Sequence, residues 1–240
     1  MAADRTLHHQ PLASFDWQSV AADVTENGAA VLRNLLPQAS CESVAALYDQ
    51  PDGFRSHVHM ARHNFGKGEY RYFAYPLPSW LTSLRSDLYA RLAPVANQWA
   101  TDLRYEHDYP TSHREYIERC HAAKQKRPTP LLLRYVAGDY NCLHQDLYGA
   151  EWFPLQVIAL LNAPEQDFQG GELLIVEQRP RAQSKGSVIS LQQGDAAVIA
   201  VNHRPRRGAR GYSRVTLRHG VSPLTRGRRH TLGIIFHDAA

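Results

Sequence analysis

His144 and Asp146 stand two residues apart in CLHQDLYG (142–149), behind the apolar run LLLRYV. In an extended chain, residues i and i+2 project to the same side. The pair can therefore offer an imidazole nitrogen and a carboxylate oxygen to one ion. The same spacing recurs in His113-Arg114-Glu115. That stretch has helical patterning, and two positions along a helix diverge by about 200°, so His113 and Glu115 are expected on a solvated helix face. Two ligands hold a metal poorly, and a third is expected downstream. The candidates are His203 in a basic loop, His219 at the end of RVTLR before a Gly-Val-Ser-Pro turn, and His230 and His237 within the last apolar strand.

Two histidines and one carboxylate on one face suit a non-haem Fe(II) centre, because they leave adjacent coordination positions open for substrates and oxygen. Zinc takes the same donors. Arg229, ten residues after His219 in GRRHTLGIIF, sharpens the choice. A guanidinium projecting into a barrel is costly unless it meets an anion, and a carboxylate is its natural bidentate partner. Tyr135, nine residues before His144, adds a hydroxyl donor. An iron site with an open face and a buried Arg for a dicarboxylate implies 2-oxoglutarate as cosubstrate and O2 as oxidant.

These residues need a scaffold, and the 240-residue chain is long enough to bury one without disulfides. Its 43% hydrophobic and 21% charged content is that of an ordinary globular protein. Three dispersed cysteines, Cys41, Cys120 and Cys142, form no zinc or redox spacing and suggest a reducing compartment. No leader and no membrane span is read, so a cytoplasmic protein is expected.

The chain changes character near residue 130. The first part reads as mainly helical. FDWQSVAADVTENG stops at Asn27-Gly28, Ser40 is placed to cap CESVAALYDQ, and residues 78–104 form an amphipathic helix with a kink expected at Pro94. Only GAAVLRNLL there reads as a strand. From LLLRYV onward, short apolar runs alternate with Gly/Pro/Asn/Asp turns. The expectation is one α+β domain over 1–240: a jelly-roll core over 131–238, buttressed by the helices of 1–130. Net charge is +4, but 12 of the 27 basic residues fall within 179–229 beside a single acid, Asp195. That segment is either a solvated loop or a surface facing a polyanion.

RYVAGDYNCLHQD resembles the metal-site stretch of AlkB-type DNA-repair dioxygenases, and HGVSPL resembles their distal-histidine turn. The order HxD, His, Arg, with FQGGELLI and QQGDAAVIA between, is similar to Fe(II)/2-oxoglutarate dioxygenases at large, prolyl hydroxylases included. The resemblance spans roughly residues 130–238. The whole chain, with RHNFGKGEYRYFAYPLP and RHTLGIIFHDA, looks like a bacterial family of oxygenases predicted to demethylate damaged bases. It implies a double-stranded β-helix, Fe(II) bound by His144, Asp146 and His219, and 2-oxoglutarate bound by Arg229 with help from Tyr135. Hydroxylating an N-methyl group would give a hemiaminal that loses formaldehyde. Three features depart from the AlkB pattern: Ile235 replaces a second arginine, the His219-to-Arg229 gap is short, as in prolyl hydroxylases, and the AlkB nucleotide-recognition lid is not recognisable in residues 1–130.

Three functions follow. Demethylation of alkylated bases in DNA or RNA, with single-stranded or damaged nucleic acid as partner, calls for a cationic rim and an aromatic slot. Arg204, Arg206, Arg207 and Arg210 are the expected rim; Tyr70, Tyr72, Phe73 and Tyr75 are the expected stacking surfaces, or else ordinary core. Hydroxylation of a protein side chain or small metabolite is the alternative that the short gap favours. A non-enzymatic jelly-roll binding protein is the third, and the HxD, His and Arg set argues against it.

Overall fold

The computed structural model describes residues 7–50, 52–179, 181–209 and 211–240. The helices are α1 (Trp17–Asn27), α2 (Gln38–Ala46), α3 (Ser79–Leu103) and α4 (His113–Ala122). The strands are β1 (Ala29–Leu32), β2 (Phe54–His59), β3 (Gly66–Lys67), β4 (Glu69–Phe73), β5 (Leu131–Val136), β6 (Tyr140–His144) and β7 (Leu155–Leu160). They continue with β8 (Phe168–Gly170), β9 (Leu173–Gln178), β10 (Lys185–Ile189), β11 (Ala196–Ala200), β12 (His203–Gly208), β13 (Gly211–Val221) and β14 (Leu224–Ile235).

Two antiparallel sheets result. The larger runs β1-β11-β7-β14-β5-β4-β2, with β8 beside β14; the smaller runs β10-β9-β13-β6-β3, with β12 beside β13. The chain changes sheet between β13 and β14 at Ser222-Pro223, a jelly-roll crossing. β14 sits between β5 and β7 and is buried from Arg229 to its end. It reads as a central strand, apolar on both faces except where chemistry intervenes.

Local chemistry sets the boundaries. The Asp16 carboxylate accepts from the backbone N–H of Gln18 and Ser19, capping α1. Gly28 ends that helix at φ +77°, and a Cβ there would sit 2.2 Å from Leu217 Cδ2, so glycine is needed twice over. α2 begins at Gln38, so Ser40 lies inside it rather than capping it; its hydroxyl donates to His8 O. α3 continues through Pro94 as one helix and buries Leu84, Leu88, Leu92 and Trp99.

The first 130 residues hold the four helices, and also supply strands. β1 pairs with β11, and β4 pairs with β5, extending the larger sheet at both edges. The helices cover the sheets through side chains. Trp99 Nε1 donates to Thr25 Oγ1, tying α3 to α1. Tyr89, Tyr116, Phe153 and Phe236 form an aromatic cluster between α3, α4 and the end of β14. His113 joins that cluster. It is buried, with Nε2 2.9 Å from Phe236 O, not on a solvated face. Burial and the nearby Arg85 charge push its pKa down to about 3, so it is neutral.

A buried ion pair fastens the chain end. Arg85 on α3 meets Asp238 at 3.1 Å and donates to the carbonyls of Ile235 and His237. Asp238 also accepts from Tyr75 and lies 2.9 Å from His121 Nε2. Removing one partner strands a buried charge. Asp238→Ala is therefore expected to cost about 3–5 kcal/mol, read as a lower urea midpoint at unchanged slope.

Candidate metal centre and its cavity

The β5–β6 turn is fixed before the metal ligands arrive. Val136 N–H donates to the Asp139 carboxylate, Gly138 N–H to Leu224 O, and Leu224 N–H to Asp139 O. This pins the start of β6 to the start of β14. β6 then runs antiparallel to β13, with His144 directly opposite His219. The ladder is irregular between His219 and Val221. The two imidazole centroids are 4.2 Å apart.

Asp146 follows where the chain leaves β6, and its carboxylate lies between the two rings. Oδ1 is 3.5 Å from His144 Nε2, and Oδ2 is 3.3 Å from His219 Nε2. The three donor atoms lie within 4.8 Å of one another. Donors bound at about 2.0–2.2 Å to one ion sit at such separations. His144 Nδ1 is 2.8 Å from Cys142 O. That bond takes the Nδ1 proton and leaves the Nε2 lone pair facing Asp146 and His219.

The electrostatics agree with the geometry. Burial opposes ionisation of Asp146, but hydrogen bonds from His144 and His219 outweigh it and hold the carboxyl well below its usual range. Burial also pushes His219 down, reinforced by the His144 charge, so this ring is favoured neutral. For His144, burial pulls down but the Asp146 hydrogen bond and charge raise the pKa overall. A divalent ion would replace the proton shared there.

The triad opens into a cavity of about 340 Å³ between the sheets. Alternate residues of β14, from Arg229 to Ile235, line it, as do Leu131, Leu133 and Tyr135 of β5. Arg229 and Tyr135 are direct cross-strand neighbours, with the guanidinium carbon 5.6 Å from the ring centroid. Arg229 is 2% exposed, and its Nε and Nη1 have no hydrogen-bond partner among the described residues. Burial lowers its pKa, against the opposing pull of the Tyr135 hydroxyl and the Glu172 carboxylate. Gly170 and Gly171, both at positive φ, carry the chain past it: a Cβ on Gly171 would lie 3.1 Å from Arg229 Cδ and 2.3 Å from Leu224 Cδ1.

The other sequence candidates are elsewhere. His203 Nδ1 is 3.1 Å from the Tyr105 hydroxyl, His230 Nδ1 is 3.0 Å from Asn162 Oδ1, and His237 Nδ1 accepts from Phe153 N–H. Residues 203–208 form β12, not a loop. Arg204 is buried there, paired with Glu177 at 2.8 Å and donating to Thr25 O, so it is a structural residue and not a rim residue. Arg206 and Arg207 are exposed opposite Ser213 and Tyr212. At about 3.3 Å per residue, Ser213 is roughly 20 Å along β13 from His219, too far to edge the cavity. Arg210 lies outside the described residues. Tyr70 and Tyr72 line the cavity; Phe73 packs on Phe54, and Tyr75 bonds Asp238.

Sequence reasoning passed over Tyr148 and Gln156. The Tyr148 hydroxyl donates to Asp146 Oδ1 at 2.5 Å, and Gln156 Nε2 is 3.1 Å from His219 Nε2. Tyr148 extends the alternation of His144 and Asp146 by one more step of two, and that spacing was the available signal.

Solved structures with this fold include a Pseudomonas putida prolyl-4-hydroxylase (TM-score 0.56, 15% identical, covering 93% of this chain and all of that one). A Trichoplax adhaerens prolyl hydroxylase, in complex with a hypoxia inducible factor peptide, has a TM-score of 0.59 at 17% identity, covering 92% and 89% of the two chains. An oxidoreductase of the 2OG-Fe(II) oxygenase family from Burkholderia pseudomallei gives 0.55 at 14% identity, covering 97% and 96%. At these identities the likeness is one of fold, a double-stranded β-helix. Fold and the family that the chain matches define the class: an oxygenase.

Residues 68–239 match the model of a family described as "oxygenase, catalysing oxidative methylation of damaged DNA". An uncharacterised Mycobacterium tuberculosis protein is 47% identical over 168 residues, covering 70% of this chain and 72% of its own. The chain belongs to this oxygenase family.

A buried cation without a counterion burdens the fold that holds it. Arg229→Met is expected to raise the stability of the ligand-free protein by about 1–3 kcal/mol, measured by urea denaturation.

Proposed function

We propose that His144, Asp146 and His219 hold Fe(II), that Arg229 and Tyr135 hold 2-oxoglutarate, and that the enzyme oxidises N-methyl groups on nucleobases. One observation carries the cofactor assignment. A two-histidine, one-carboxylate cluster and a buried guanidinium whose Nε and Nη1 have no hydrogen-bond partner among the described residues line the same cavity.

When bound, iron and 2-oxoglutarate supply the oxidation: O2 is consumed, 2-oxoglutarate becomes succinate and CO2, and one oxygen atom enters a substrate C–H bond. The chain's residues prepare that site. Asp146 stays ionised and supplies charge. The Cys142 carbonyl fixes the His144 tautomer. Tyr148 orients the Asp146 carboxylate. Arg229 offers two N–H groups to the far carboxylate of 2-oxoglutarate, and Leu131, Leu133 and Ile158 keep the intervening wall dry. Oxidation of an N-methyl group gives a hemiaminal, which releases formaldehyde and leaves the base unmethylated.

The substrate reading is supported by the family description, which names damaged DNA, and by aromatic walls. Tyr70 and Tyr72 line the cavity, and Phe65, half exposed at its edge, stacks on His63. Such faces suit an unstacked base.

The test is anaerobic reconstitution with Fe(II), then O2, 2-oxoglutarate and a methylated single-stranded oligonucleotide, with mass detection of oligonucleotide and succinate. Loss of one methyl mass is expected, and none with His144→Ala. Arg229→Met is expected to raise half-saturating 2-oxoglutarate by about 100-fold. Succinate without any change in the oligonucleotide would keep the oxygenase and turn the search to peptides and metabolites.

The exposed pair on β12 has a separate role in this reading. Arg206 and Arg207 contact the phosphate backbone away from the reacting base. Replacing both with serine is expected to weaken binding of long oligonucleotides and flatten its salt dependence. Oligonucleotides too short to reach the hairpin should be unaffected.

A further inference from the structure

The larger sheet has a second face at β2 and β4. Side chains alternate along β4: Tyr70 and Tyr72 line the cavity, so Glu69 and Arg71 point the other way. Across three adjacent strands, His59, Glu69 and Arg134 are in register. His57, two residues before His59, shares their face. Glu69 Oε2 is 2.6 Å from His57 Nε2 and 3.7 Å from His59 Nδ1. The two rings are 4.5 Å apart at their centroids. The three donor atoms lie within 4.8 Å of one another.

We infer that His57, His59 and Glu69 form a second metal site, for a zinc-class divalent ion, on the sheet face opposite the cavity. Arg134 prepares the carboxylate. Its Nε and Nη2 both hold Oε1, at 2.8 and 2.5 Å, leaving Oε2 facing the two imidazoles. A tetrahedral ion with bonds of about 2.0–2.1 Å sets its donors roughly 3.3 Å apart. The short His57 contact must open and the longer His59 contact must close, each by less than about 1 Å. Both rings are more than one-third exposed, which leaves them free to make that adjustment and leaves a coordination position for water.

Solvent exposure, not the donor set, separates this site from the first, which has the same two imidazoles and one carboxylate. Two imidazoles and one carboxylate on a solvent-facing strand pair bind copper and zinc more tightly than Fe(II), following the general order of divalent affinities. The cationic neighbours Arg71 and Arg134 are held against the Tyr48 ring, and Asp49 takes one Arg134 nitrogen at 2.7 Å.

The site also has a structural consequence. An ion there would cross-link β2 to β4. The segment between those strands carries Asn64 and Phe65 at the cavity mouth, and β3 within it pairs with β6, the strand of His144. The ion would clasp the hairpin whose other face forms the cavity wall.

The test uses Zn²⁺ itself, titrated into chelator-stripped protein against a chromophoric competitor, with thermal unfolding alongside. The wild-type chain is expected to bind two equivalents and His57→Ala/His59→Ala one. His144→Ala/His219→Ala is expected to retain one equivalent, which still raises its melting temperature. Both histidines are exposed and His57 meets the core only at its Tyr48 contact among the described residues, so the first double variant remains informative if the second fails to fold. Equal zinc stoichiometry in wild type and His57→Ala/His59→Ala would overturn the site. So would a folded His144→Ala/His219→Ala protein that binds no zinc.

Discussion

The antiparallel pairing of β6 with β13 is the constraint on which the site depends. It sets His144 directly opposite His219, and the period of two along an extended chain then delivers Asp146 to the same side. A one-residue slip would turn one imidazole to the other face and dissolve the cluster. Most of the surrounding structure acts to prevent that slip. The β5–β6 turn is tied at Asp139 and Gly138 to the beginning of β14. β9 holds β13 on its other edge, with His219 opposite Ile175. The Gln145 amide, between the two ligands in sequence, donates to Leu217 O across the ladder.

The second constraint is electrostatic. β14 is buried among apolar neighbours on both sides, yet it carries Arg229 into the cavity with two nitrogens unpaired among the described residues. The fold meets its other buried arginines differently: Arg85 has Asp238, and Arg204 has Glu177. In the proposed reading that contrast separates structural from functional charge. A cation kept from its counterion in a low-dielectric wall would be ready for an anionic ligand, at a cost to the free protein that binding would repay.

How far this was readable in advance depended on the kind of pattern involved. Alternation and chain order pointed to His144, Asp146, His219, Arg229 and Tyr135, and the fold brings these five to one cavity. β5 was visible as an apolar run, but β2 and β4 were not. FRSHVH and EYRYF place polar or aromatic residues on both faces, because one face lines a cavity and the other carries His57, Glu69 and Arg71 in ion pairs and ring contacts. HRPRRG read as a loop because of its proline, its glycine and its charges. It is a strand because β12 pairs only with β13, and an edge strand tolerates proline. Arg204 was indistinguishable from Arg206 in the sequence. Only the position of Glu177, on the neighbouring part of the smaller sheet, buries one and leaves the other in water.

The separation of Arg206 and Arg207 from the cavity bears on what kind of nucleic acid such an enzyme would accept. A cavity of about 340 Å³ that also held 2-oxoglutarate would admit a base only after it had left its stack. Unstacking costs a few kcal/mol in a duplex and much less in a damaged or single strand. The cavity mouth offers aromatic faces but no described cluster of cations, so contacts at the reacting base cannot supply much charge-driven affinity. The basic hairpin could, through phosphates several nucleotides away, and would do so without regard to sequence. Binding energy and chemistry would then sit at two ends of one strand, β13. Such an enzyme would discriminate by whether a base can be presented unpaired, rather than by the bases that flank it.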